Sequence, residues 1–184
     1  MKDTGTSDAA LVELCRRGNT RAFDELVGKY QKTLFNVALR MTADYDASEE
    51  VTQQAFVRAY ERIASFDPRF KFFSWMYRIL VNTALDHLEE RRRHDRLDDE
   101  VPSDEPDPSD LGEREDSEAM LQAGLMDLTA EQRAVIVLRH FEDLTYEEIG
   151  AVLDIPEKTV KSRLFSARMQ LRAVLVKRGY RFHG

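Results

Sequence analysis

The residues of this chain best suited to chemistry lie near its C-terminus, and their chemistry is hydrogen bonding rather than bond making. Lys161, Ser162, Phe165 and Ser166 fall at helical spacing on one face, while Val160, Leu164, Ala167 and Leu171 make an apolar stripe on the opposite one. Lys158, Thr159, Arg163 and Arg168 flank the polar face. After Glu157 the chain has no acidic residue, yet it carries Lys161, Arg163, Arg168, Arg172, Lys177, Arg178 and Arg181. Amines and hydroxyls on a convex, one-signed helix face are what phosphate binding and major-groove reading require. A solvated basic helix at the end of a bundle is the plainer alternative.

Such a face needs a helix in front of it to pack on. Thr145 and Glu148 have the spacing of a capping box, so a helix is expected to begin near Thr145. Ile149, Val152 and Leu153 give it an apolar face, and Gly150 permits close approach of another backbone. Asp154, Ile155 and Pro156 break it, and Pro156 suits the start of the next helix because an N–H there would have no intrahelical partner. The unit from Leu144 to Arg172 reads as a helix-turn-helix. Upstream, Thr129 and Gln132 form a second capping box before the stripe Ala134, Val137, Leu138 and Phe141, with a further helix expected around 119–125.

A second constellation breaks the helical period between Phe66 and Trp75. Phe66, Pro68, Phe70, Phe72, Phe73 and Trp75 alternate with Arg69, Lys71 and Ser74. Rings that stack on bases beside cations that meet phosphates are the means of single-stranded DNA binding. Core filling is the competing use, and both are expected: Phe72 with Trp75 or Tyr77 inside, and at least Phe66 near the surface. A helix over about 74–93 follows, with Ile79, Leu80, Ala84 and Leu88 inward and an arginine run at Arg91, Arg92 and Arg93.

The preceding chain supplies more helices. Asp8 is expected to cap a short helix bearing Leu11, Leu14 and a buried Cys15, ended by Gly18. A long one follows over about 20–41, and Ser48 is read as the start of the next. Its inner face is Val51, Ala55, Ala59 and Ile63; its outer face is Glu49, Glu50, Gln53, Gln54 and Arg58, with Phe56 alongside. Phe56 is either part of a partner surface or extra core packing.

Charge divides the chain. Residues 1–94 balance at +1, residues 95–128 at −11 and residues 129–184 at +3, so the overall −7 is made in the middle. Residues 95–118 hold 12 acidic side chains with Pro102, Pro106, Pro108 and Gly112, a composition expected to form a flexible tether. Its carboxylates could mimic a nucleic-acid backbone and lie against Lys161, Arg163 and Arg168, or simply space two lobes. The fold expected is all-α: two small helical domains, 8–94 and 119–178, joined by a flexible acidic linker, 95–118, with the helix-turn-helix in the C-terminal domain.

The single Cys15 excludes a disulfide framework, and His87, His94, His140 and His183 are too scattered to form a ligand set. No nucleophile motif or phosphate loop appears. A non-enzymatic protein without cofactor or metal is expected. With no signal-peptide pattern and no apolar run near ~18 residues, a cytoplasmic location without membrane insertion is expected too. A stand-alone transcriptional regulator and a pure interaction protein remain as rival readings.

Three runs in order carry a more specific likeness: Ser74-Trp75-Met76-Tyr77-Arg78-Ile79, Asn82-Thr83-Ala84-Leu85-Asp86, and Thr159-Val160-Lys161-Ser162-Arg163-Leu164 leading to Ala167-Arg168. Over about 11–175 the chain resembles the extracytoplasmic-function (ECF) sigma factors of bacterial RNA polymerase. The resemblance implies a first lobe that docks on the polymerase clamp and recognises and melts the −10 element, through Phe66, Arg69, Phe70, Lys71, Ser74, Trp75, Arg78 and Asn82. It implies a second lobe that reads the −35 element with Lys158, Thr159, Lys161, Ser162, Arg163, Phe165, Ser166 and Arg168. Glu49, Glu50, Gln53, Gln54 and Phe56 match the clamp-binding motif, although the family usually carries aspartate at Glu50 and often glutamate at Gln54. Implied partners are core RNA polymerase, at its clamp and flap regions, promoter DNA and an anti-sigma factor.

Overall fold

The computed structural model describes residues 6–97 and 113–180. Among these there is no strand; the elements are eight α-helices and one 3-10 turn. Four helices make an N-terminal lobe: α1 (Asp8–Arg16), α2 (Thr20–Thr42), α3 (Tyr45–Arg62) and α4 (Phe72–Leu97). Four make a C-terminal lobe: α5 (Glu113–Met126), α6 (Ala130–His140), α7 (Tyr146–Leu153) and α8 (Glu157–Lys177). Leu26, Leu34, Met41, Met76 and Leu80 are fully buried in the first lobe, and Leu125, Leu138, Ile149 and Leu164 in the second.

Local capping explains most helix starts, with two corrections to the expected ones. Ser7, not Asp8, caps α1 by accepting the Ala10 N–H. Asp8 is thereby released to accept hydrogen bonds from Lys29 Nζ at 2.7 Å and the Tyr30 hydroxyl at 2.5 Å. Asp44, not Ser48, starts α3 by accepting the Ala47 N–H. Ser48 instead lies buried one turn in, its hydroxyl 2.8 Å from that of Thr42. Both capping boxes, Thr129 with Gln132 and Thr145 with Glu148, form as expected.

Helix enters both ends of the stretch 95–118 that was expected as a tether. Helix α4 continues to Leu97 and α5 already begins at Glu113. The remainder, 98–112, lies outside the described residues, and with it most of the stretch expected to tether or mask.

The two lobes are in contact and their cores run together as one apolar cluster. Helix α7 packs along α4, and α5 and α6 pack against α2. Arg133 closes this junction. It is 6% exposed, and its guanidinium donates to the carbonyls of Leu125, Met126 and Leu128 at the end of α5 and, across the lobes, to that of Met41 near the end of α2. Arg40 stacks 3.8 Å above the Phe141 ring and pairs with Glu118 at 3.0 Å.

Candidate nucleic-acid interface

Helix α8 is held by its buried stripe. Val160, Leu164 and Ala167 are buried and Leu171 is half-buried, as the spacing required. The turn ahead of it is tight: Asp154 takes a left-handed conformation at φ 56°, and a Cβ on Gly150 would stand 2.8 Å from the Ile155 carbonyl oxygen. Packing therefore presents the other face outward. Lys158, Lys161, Ser162, Phe165, Ser166 and Arg168 are exposed, Phe165 by 69%, while Thr159 and Arg163 are half-buried. Two of the cations have partners within the protein. Lys161 pairs with Glu157 at 2.7 Å, and Arg168 Nε donates to His140 Nε2 at 3.1 Å. Burial, and then the charges of Arg168 and Arg139, hold the His140 imidazole below its ordinary value, which keeps Nε2 free to accept.

The aromatic and basic loop builds a different surface. Phe66 was expected outside and is 4% exposed; its ring centroid lies 5.6 Å from that of Phe72 and 5.4 Å from that of Trp75. The outward ring is Phe70, 62% exposed. Pro68 and a turn at Asp67, whose carboxylate holds Arg69 at 2.5 Å, swing Phe70 out while Phe66 and Phe72 close on each other. Phe66, Pro68, Phe70, Phe72 and Phe73, with Lys71, Asp8 and Ala9, line a cleft of about 330 Å³, within the range of small-ligand pockets. Lys71, just ahead of α4, and Trp75, Arg78 and Asn82 on it recur at helical spacing, and all but the half-buried Trp75 are exposed. Ser74 is half-buried beside them.

On α3, Glu49, Glu50, Gln53 and Gln54 are exposed, but Phe56 is not part of their surface. It is 8% exposed and meets Phe23 edge-on with centroids 6.3 Å apart. The apolar residues beside the polar set are Val57, 58% exposed, and Tyr60, 44% exposed, which the sequence reading passed over. It also passed over Arg16 and Arg133. A basic residue directly before the apolar run 134–138 was the available signal for Arg133; nothing local marked Arg16. Among the described residues no group of three or more acidic, His or Cys side chains could hold a metal, and no helix is long and apolar enough to cross a membrane.

A helix-turn-helix lobe packed against a helical lobe with an aromatic and basic cleft is the architecture of a two-part helical protein with the features of a nucleic-acid reader. Known proteins make that class specific. The Sigma-70 region 2 family matches residues 26–94 and the Sigma-70 region 4 family residues 124–173. The chain is 36% identical to the RNA polymerase sigma-H factor of Pseudomonas aeruginosa over 90% of its own length and 92% of the relative's. It is 33% identical to the ECF sigma-E factor of Escherichia coli, over 88% and 91% of the two chains. It is similar to CnrH, solved in complex with the cytosolic domain of CnrY, with a TM-score of 0.71, 29% identity and coverage of 92% of this chain and 97% of that one. The chain belongs to the ECF RNA polymerase sigma factors, transcription initiation factors that direct the polymerase to promoters.

Proposed function

We propose a division of labour in which the N-terminal lobe, residues 8–94, docks on the polymerase clamp and opens the −10 element, while the C-terminal lobe, 119–178, reads the −35 element. One observation carries this reading: α8 turns Lys161, Ser162, Phe165 and Ser166 outward as a set because its apolar stripe is consumed by packing. In the first lobe, Phe70 and the cleft walled by Phe66 and Phe72 would stack a base displaced from the duplex, with Lys71, Arg69 and Arg78 meeting phosphates and Asn82 reading a base edge. Glu49, Glu50, Gln53 and Gln54 would meet the clamp, joined by Val57 and Tyr60 in place of Phe56. The protein acts as a non-catalytic factor in the cytoplasm, and an anti-sigma factor is its expected inhibitor.

The test is in vitro transcription with purified core polymerase on a genomic fragment library, which supplies the promoters. On these, Lys161→Ala with Ser162→Ala should redistribute promoter choice and lower initiation at the original promoters about tenfold, in line with the ~1–3 kcal/mol carried by a base contact. Unchanged promoter choice would show that α8 does not read sequence.

A further inference from the structure

We infer that Arg16 of α1 is a positioning residue for strand opening. It stands beside the cleft without lining it. From the last turn of α1 its Nε donates to the Ile63 carbonyl at 3.4 Å, and Nη2 donates to that of Ala64 at 3.3 Å and to that of Phe66. These three carbonyls belong to the 3-10 turn Ile63–Ser65 and to the first ring of the cleft. The other end of α1 secures the far wall: Asp8 holds the Tyr30 hydroxyl, and the Tyr30 ring lies 5.7 Å from Phe72. Helix α1 thus braces the loop at both sides, so that the cleft exists before DNA arrives and no ordering cost falls on base capture.

This rests on the assignment of the cleft to base capture. With the Arg16→Ala holoenzyme, thymine reactivity to permanganate in the −10 region should fall about tenfold or more while duplex promoter binding is retained. A template opened in advance over the −10 region should restore transcription to the wild-type level, and Arg16→Gln, which keeps a donor, should be intermediate. Normal opening by Arg16→Ala, or no rescue on the opened template, overturns the inference. Phe70→Ala separates the two readings: if it too opens normally, the cleft assignment fails, whereas a defect there with none in Arg16→Ala sinks only the role of Arg16.

Discussion

At the scale of single residues, the largest effects belong to side chains that satisfy several backbone groups at once. Arg133 is the clearest case: burial pulls its guanidinium below its usual basicity, yet four carbonyls hold it in place. Arg133→Met keeps the volume and strands those acceptors, so a loss of about 2–4 kcal/mol in urea unfolding is expected. Gly150 is sensitive for a steric reason. The neighbour of any added Cβ is the Ile155 backbone carbonyl rather than a flexible side-chain end, so Gly150→Ala should cost about 1–3 kcal/mol and lower the melting temperature. The glycine was marked in the sequence as a point of close backbone approach within the first helix of the helix-turn-helix. Arg133 was marked only by an arginine where the pattern turns apolar, and a chain read residue by residue does not say which carbonyls will meet it.

At the scale of elements, the start of α7 links stability to pH. The Glu148 carboxyl is held below its ordinary value, first by the hydrogen bond from Lys71 and then by the Thr145 N–H it accepts in the capping box. A folded value below the unfolded one means that this contribution is complete above the unfolded carboxylate range of about 4.3 and is lost as pH falls through the folded value. Stability measured by denaturant should therefore decline below about pH 4.3, and Glu148→Gln should flatten that decline. Thr145→Ala removes the other half of the box and should cost about 1 kcal/mol at neutral pH, seen as a lower urea midpoint. These elements were legible because capping boxes and apolar periods are contacts within three or four residues. The starts of α1 and α3 were displaced by a few positions because Ser7 and Asp44 competed with equally capable neighbours.

At the scale of the whole molecule, the two lobes are expected to melt as one at low salt, since their buried residues form a continuous cluster. Arg40→Ala removes the stacking on Phe141 and the pair with Glu118, a contact class worth about 0.5–2 kcal/mol. Calorimetry should then resolve two transitions where the unsubstituted chain shows one.

The sequence by itself determined the helical class, the helix-turn-helix and its outward face, because amphipathic spacing, caps and the run of cations are written in neighbouring residues. It also contained the aromatic loop, but not its depth. Which of Phe66 and Phe70 turns inward depends on Phe72, Trp75 and the carbonyl ties of Arg16, and only packing decides that. The same holds for the lobe junction: Lys71 meets Glu148 and Arg78 meets Asp154 across more than seventy intervening residues. A charge pattern states that such pairs are available, and the tertiary structure chooses among them because each choice must also bury the apolar faces that carry the charges.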